Sequence, residues 1–340
     1  MAESTVDVAI VGAGAAGLTA AIYAARNGLK ARIFEAKHAG GMAADAVEIE
    51  NYPGAGKVRG KELMEKFISQ AEGFGVKIGE GKKVSGIEKN KTKPALFGRA
   101  PEWAHFGESQ NSAGGFLVTV GEGKGTEKIN AKAIILATGS QYKKLGVKGE
   151  DELKGKGVSF CAVCDGAFFR GRDVVVVGGG NTGVTYALYL AEICKSVTLV
   201  EFMPALGADR IYWGKLEEKK VNVLLNREVT EILGTEKGFV EGIRVKERGG
   251  GKKEKTIPSS GVFVSIGIRP NSELAKSAGI ETDKKGFVRV NRETMESSVQ
   301  GIFAAGDVIG GVEQVVVAAG EGATAAVSAF RFLGRGGGKP

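Results

Sequence analysis

Two glycine turns of one design constrain this chain more than any other feature: Gly12-Ala13-Gly14-Ala15-Ala16-Gly17 near its start and Gly178-Gly179-Gly180-Asn181-Thr182-Gly183 past its middle. Each follows a short run of β-branched residues. The first run, 6–11, leads into an alanine-rich helix over 15–27 that Gly28 ends, and then into a strand over 30–35. The second run, 173–177, leads into a helix over 182–193 and a strand over 196–201. Both are βαβ units, and two such units imply two nucleotide-binding folds in an α/β chain.

The glycine spacing has a physical reason. The first glycine of such a turn permits a tight bend, and the second lets backbone approach a pyrophosphate. The third allows the helix to pack close to its strand. The helix N-terminus then offers free N–H groups to negative charge. Gly12, Gly14 and Gly17 fill these places in the first turn, and Gly178, Gly180 and Gly183 in the second. Glu35 and Glu201 stand at the ends of the second strands, where a carboxylate accepts from ribose hydroxyls. A carboxylate at Glu201 also repels a 2′-phosphate. The residues after it, Phe202-Met203-Pro204-Ala205-Leu206, supply no arginine, and Arg210 is the nearest in sequence. NADH therefore fits this cradle better than NADPH. The competing reading of Glu201 is a solvated acid at a strand end.

Just upstream of the second turn lies Cys161-Ala162-Val163-Cys164-Asp165-Gly166. Opening a disulfide takes two electrons, and a hydride carrier moves two. Two dinucleotide cradles with a dithiol between them outline a path from nucleotide to flavin to disulfide. In a Cys-x-x-Cys pair one thiol is commonly acidified by its neighbours or a helix terminus. Asp165, if partly buried, has a raised pKa and can hold a proton beside the dithiol. Its simpler role is a turn residue before Gly166.

The chain has 340 residues and three cysteines. That length holds two domains with good cores, and three cysteines are too few for a disulfide scaffold. A structural zinc site takes about four ligands. Beyond the pair only Cys194, His38 and His105 are available, scattered along the chain, so no metal site is expected. Cys194, beside Leu190, Ala191 and Ile193, reads as a small core residue in a helix. The net charge of +8 comes from short lysine and arginine clusters that read as solvated loops, with an acidic protein partner as the alternative reading. No basic-aromatic platform points to nucleic acid. No apolar run approaches a membrane span, and the first residues lack a leader's pattern, which favours the cytoplasm.

Further strands are expected over 133–137, ending in Thr138-Gly139, and over 301–305, ending in Gly306-Asp307, with a long helix over 313–333. Residues 90–115, with Pro94, Pro101, Trp103, His105 and Phe106 in no clear period, read as a surface insertion. Its aromatics leave a docking or dimer contact open. The glycine-rich tail 334–340 reads as frayed.

At this point the residues match a family. Cys161-Ala-Val-Cys164-Asp165-Gly166-Ala-Phe168-Phe169-Arg170-Gly171 resembles the active-site segment of the low-molecular-weight, bacterial-type thioredoxin reductases. Glu48-Ile-Glu50-Asn51-Tyr52-Pro53-Gly54 resembles their flavin-side loop, and Ala137-Thr138-Gly139 and Gly306-Asp307 with Glu313-Gln314-Val315 resemble their other FAD contacts. The resemblance runs from about Val6 to Leu333.

The resemblance implies two Rossmann-like domains, the nicotinamide domain being inserted into a discontinuous FAD domain. The FAD domain would comprise 1–143 and 268–340, and the inserted domain, 144–267, would carry the dithiol. It implies FAD contacts at Gly12, Gly14, Gly17, Glu35, Gly41, Asn51, Thr138, Gly139, Gly306, Asp307, Gln314 and Val315. It implies nicotinamide contacts at Gly178, Gly180, Asn181, Thr182, Gly183 and Glu201. Cys164 would be the thiol nearest the flavin, Cys161 the one that attacks a partner disulfide, and Asp165 the proton shuttle. The inserted domain would rotate about joints near 143–147 and 266–270, where Gly146, Gly267 and Pro270 suit a hinge. Thioredoxin or a glutaredoxin-like protein is the implied partner, and a homodimer the implied assembly.

Two features depart from the family. Members that use NADPH carry a His-Arg-Arg segment where Glu201-Phe202-Met203 stands here. The insertion at 90–115 is the other. Several readings stay open beside the leading one. The donor could be reduced ferredoxin or a deazaflavin, or the substrate a small-molecule disulfide. The chain could also be NADH oxidase-like with dispensable thiols, or a flavin-binding redox sensor without turnover.

Overall fold

The computed structural model describes residues 4–46, 49–90, 115–249 and 253–334. The expected insertion, apart from its ends Asn90 and Gly115, lies outside the described residues, as do Glu48 and the tail 335–340. The chain divides into two units, Met1–Gln141 with Arg269–Pro340, and Tyr142–Ile268.

In the first unit, strands Lys77–Gly79, Ala31–Phe34, Ser4–Val11 and Glu127–Leu136 lie side by side in that order, all parallel. Buried strands of a parallel sheet are apolar on both faces, and Val8, Ala9, Ile10, Ile33, Ile134 and Ile135 are fully buried. The long strand Glu127–Leu136 serves two neighbours on one edge. Its first half pairs antiparallel with Phe116–Val120, and its last three residues pair parallel with Ile302–Ala304. Val84–Lys89 then pairs antiparallel with Phe116–Val120. At the open end of that hairpin the Asn90 N–H donates to the Gly115 carbonyl at 2.7 Å.

Helix Ala15–Arg26 covers this sheet together with Val315–Gly334. The two helices meet closely: a Cβ on Gly322 would lie 2.1 Å from the Ala16 carbonyl oxygen. The buried residues of Val315–Gly334 are all small: Ala319, Gly322, Ala325, Ala326 and Ala329. This helix is long and apolar enough to cross a membrane by length and composition alone. Its small residues instead pack it against Ala15–Arg26. It starts two residues later than its sequence pattern suggests, because Glu313 and Gln314 precede its first turn.

The second unit repeats the plan. Strands Asn222–Leu224, Ser196–Val200, Asp173–Val177, Gly261–Val264 and Val158–Ser159 form a parallel sheet in that order. Helix Asn181–Ala191 packs on it through Val184, Ala187 and Leu190. An antiparallel sheet, Arg227–Gly234, Val240–Glu247 and Glu254–Pro258, packs on the opposite face through Val229, Ile232, Ile243 and Val245. The helix ends at Ala191, so Cys194 stands just beyond it rather than within it. Cys194 is half-buried against the same core.

Candidate functional site

In the first unit the strand Ser4–Val11 delivers Gly12 to the end of the sheet. Gly12 has φ +106°, and a Cβ there would lie 2.2 Å from the Ala137 carbonyl oxygen. Only glycine meets both conditions. Gly17 follows by close approach: its Cβ would fall 1.9 Å from the Gly12 oxygen. Gly14 caps the helix in extended conformation with no side-chain cap, so the first helical N–H groups stay available. Gly41 stands against Gly14, where a Cβ on Gly41 would come 3.0 Å from the Gly14 Cα. Glu35 closes the turn from below: Oε2 accepts the Ala13 N–H and Oε1 the Lys37 N–H, both at 2.8 Å.

Around this turn the fold gathers residues distant in sequence. Asn51 Nδ2 donates to Gln314 Oε1 at 2.8 Å, immediately before helix Val315–Gly334. Thr138 and Gly139 are fixed by Asn271. The Thr138 hydroxyl donates to the Asn271 carbonyl at 2.7 Å, and the Asn271 amide group donates to the Thr138 carbonyl at 2.8 Å. The Asn271 N–H donates to the Gly139 carbonyl at 2.9 Å. Gly306 donates its N–H to Glu321 Oε2 at 2.8 Å, and Asp307 Oδ2 accepts from the Ser140 hydroxyl at 3.2 Å. Burial pushes the Asp307 and Glu321 carboxyls above the usual range. A dinucleotide fits this donor set: a glycine turn open at Gly14, free helix N–H groups for a pyrophosphate and a carboxylate at the strand end. Asn271, Ser140 and Glu321 escaped the sequence reading. Their only signal is position, each beside or opposite a residue that was found.

The second unit builds the same turn. Gly178 has φ +115°, with the Ser265 carbonyl oxygen 2.3 Å from where a Cβ would stand. A Cβ on Gly183 would lie 1.8 Å from the Gly178 oxygen. Gly180 is exposed with open space beside it, as are Asn181 and Thr182 at the helix start. The segment after the second strand closes one side. Ala208 N–H donates to the Gly179 carbonyl at 3.1 Å, and Asn181 exchanges hydrogen bonds with Asp209 at 2.8 and 3.2 Å. Glu201, 9% exposed, accepts the Gly179 N–H on Oε2 and the Met203 N–H on Oε1. It is a bonded acid at the turn, not a solvated one. This site also fits a dinucleotide.

One arginine that the sequence did not suggest reaches this end of the strand. The Arg248 guanidinium lies 4.0 Å from the centre of the Phe202 ring and donates to Met203 Sδ at 3.4 Å. It comes from the end of Val240–Glu247, remote in sequence, so the stretch after Glu201 could not reveal it. Arg210, the sequence neighbour, is exposed and opens a short helical turn, Arg210–Tyr212.

The dithiol sits in the second unit on the turn between strand Val158–Ser159 and the short helix Ala162–Asp165. Cys161 and Cys164 are joined as a disulfide, with Cα atoms 5.3 Å apart. The Cys164 N–H points at Cys161 Sγ at 3.2 Å, a donor that favours a thiolate on Cys161. Asp165 ends the helix with its carboxyl largely sealed from solvent. Oδ2 accepts from the Ser159 hydroxyl at 2.6 Å, and Oδ1 is buried without a hydrogen-bond partner among the described residues. Burial pushes its pKa up, and the Ser159 bond offsets part of that rise. Cys194 has its thiol pushed up to about 11 by burial.

Comparison with known proteins is consistent along the chain. Residues 6–322 match the family described as pyridine nucleotide-disulphide oxidoreductase. A thioredoxin reductase of Bacillus subtilis (strain 168) is 36% identical over 333 residues, covering 97% of this chain and 96% of that protein. The solved structure of a thioredoxin reductase from Streptococcus pyogenes MGAS5005 is 34% identical, with TM-score 0.79 over 98% of this chain and 99% of the other. That of Giardia duodenalis thioredoxin reductase is 32% identical, with TM-score 0.81 over 97% and 99%.

Proposed function

The chain belongs to the pyridine nucleotide-disulphide oxidoreductase family, and on that premise we propose that it is an FAD-dependent reductase of a thioredoxin-like protein disulfide. The observation that carries the proposal is the Cys161–Cys164 disulfide, held beside a sealed carboxyl in a unit with its own dinucleotide turn. The proposal assigns FAD to the first unit and a nicotinamide dinucleotide to the second. A cytoplasmic location and a homodimer go with it, as does a partner that is thioredoxin or glutaredoxin-like.

Each residue group has a task. The N–H groups following Gly14 would hold the FAD pyrophosphate, with Glu35 on its ribose and Asn51, Thr138, Asp307 and Gln314 around the rest. Bound FAD supplies a two-electron relay between a soluble donor and the disulfide. Opening the disulfide needs two protons as well as two electrons, and the sealed Asp165 carboxyl can store one of them. Cys161, with an N–H aimed at its sulfur, suits attack on a partner disulfide. Cys164 then closes back on Cys161 and releases the reduced partner.

NADH is the proposed donor. Glu201 matches Glu35 in its backbone bonds, which orients its carboxylate as a ribose acceptor, and a second negative group there is repelled. Anaerobic titration of the yellow holoprotein with NADH and with NADPH tests this. Bleaching by NADH at lower concentration supports it, and bleaching by NADPH alone refutes it. Reduced ferredoxin and a reduced deazaflavin complete the donor set. Multiple turnover with a thioredoxin, lost in Cys161→Ser and in Cys164→Ser, tests the reductase itself. Unchanged turnover in both variants would refute it.

A further inference from the structure

Ser159 is not among the residues that the sequence motifs single out. It is 5% exposed and fixed on strand Val158–Ser159, where it pairs in register with Phe263. Its hydroxyl touches both halves of the redox centre. Oγ accepts the Cys161 N–H at 3.1 Å and donates to Asp165 Oδ2 at 2.6 Å. The Cys161 carbonyl, at 3.3 Å, competes for the same hydroxyl proton. A hydroxyl has one proton to give, and a carboxylate at the shorter distance takes it. The other carboxyl oxygen, Oδ1, has no partner among the described residues.

We propose that Ser159 is a positioning residue that separates the tasks of the two Asp165 oxygens. Oδ2 is anchored by the hydroxyl, and Oδ1 is the atom that takes and gives the proton when the disulfide opens and closes. The inference rests on the disulfide-reductase reading. Two electrons, which a bound flavin would supply in turnover and a dithiol reductant supplies in the test, break the sulfur–sulfur bond and leave two thiolates. One thiolate takes the proton from Asp165 Oδ1 and the other takes one from solvent. The new carboxylate keeps its Oδ2 bond to Ser159, and the same steps reverse when the pair closes on a partner disulfide.

The surroundings of Asp165 are simple. Its titratable neighbours in its own segment are Cys161 and Cys164. The helix Asn181–Ala191, packed on that segment, brings the Tyr189 ring against Gly166. Among the described residues only burial and Ser159 shift its ionisation, with no contribution from a charged side chain. Removing the hydroxyl takes the donor from the carboxylate and the acceptor from the Cys161 N–H, and the first of these losses acts directly on the ionisation of Asp165.

The test reduces the purified protein with excess dithiothreitol and follows iodoacetamide alkylation of each cysteine against pH by peptide mass. It compares wild type, Ser159→Ala, Ser159→Thr and Asp165→Asn, each checked for folding by thermal melting. The wild-type Cys161 profile is expected to carry an inflection that Asp165→Asn abolishes. In Ser159→Ala that inflection moves up by about one pH unit, and Ser159→Thr, which keeps the hydroxyl, restores it. A purely structural role would lower the melting temperature and leave the inflection in place. A Ser159→Ala profile that superimposes on wild type overturns the proposal, as does an inflection that survives in Asp165→Asn. If the threonine variant does not fold, the alanine profile decides alone. No donor, flavin or partner protein enters the measurement. Failure to reduce any protein disulfide would overturn the functional reading and leave this result standing.

Discussion

Glu35 and Glu201 hold the same pair of backbone donors: each carboxylate takes the N–H that follows the first glycine of its turn, from Ala13 or Gly179, and the N–H two residues beyond itself, from Lys37 or Met203. The two bonds fix each carboxylate across the end of its strand, one oxygen toward the turn and one toward the next loop. On the proposed function, the shared geometry would give both units one way of holding a ribose. Replacing Glu201 by glutamine keeps an acceptor and removes the charge. The ratio of kcat/KM for NADPH to that for NADH is expected to rise by about tenfold, a loss of ~1.4 kcal/mol of repulsion. Steady-state kinetics with both donors checks it, and an unchanged ratio would separate Glu201 from donor choice.

Arg248 brings the opposite charge to the same neighbourhood, stacked over Phe202 and bonded to Met203. Whatever NADPH use the protein retains should depend on it. Arg248→Ala is expected to raise the KM for NADPH by roughly tenfold while moving that for NADH by less than about twofold. Equal changes for both donors would make the stack a structural support for Phe202 and nothing more.

These two residues also mark what the sequence could and could not reveal. Glu201 was legible because strand, glycine turn and acid are local, set within one βαβ unit by chain spacing. Gly12, Gly178 and the Cys161–Cys164 pair were legible for the same reason. Arg248 was not, because it reaches Phe202 through an antiparallel sheet whose register no local pattern reports. Ser159 lies two residues from Cys161, yet its role depends on a carboxyl turned back by the helix Ala162–Asp165. Asn271 was hidden more deeply still: its bonds to Thr138 and Gly139 span the whole intervening second unit. Helix ends differ from the sequence pattern by one or two residues where glycine or a polar residue sits at the boundary, as at Asn181 and Ala191.

The raised pKa of Asp165 also has a consequence for stability. Its folded value lies above its unfolded one, so the carboxyl contributes nothing below both. As pH rises from the unfolded value through the folded one, the unfolded chain releases the proton first, and the native state loses stability. Asp165→Asn removes this loss and keeps an acceptor for the Ser159 hydroxyl. The variant's melting temperature relative to wild type is expected to be higher at about pH 8 than at about pH 4.5. A difference that is constant across that range would mean that Asp165 is not titrating there as a sealed acid.

Cys194 offers a contrast within the same unit. All three cysteines of the chain lie in it, and two are closed as a disulfide. The third has its thiol pushed up to about 11, because burial disfavours the thiolate more than the nearby Arg170 charge favours it. The thiolate is the nucleophile, so at neutral pH its reactive fraction falls by about two orders of magnitude relative to an ordinary cysteine. Untreated holoprotein is therefore expected to label slowly or not at all with iodoacetamide, and dithiothreitol-reduced protein to label quickly at two sites. Cys194→Ser should leave both counts and the turnover unchanged, since the side chain only fills space beside Leu190 and Ile193. Rapid labelling of Cys194 in the oxidised protein would show an open and acidified thiol, and would make it a third participant in the redox chemistry.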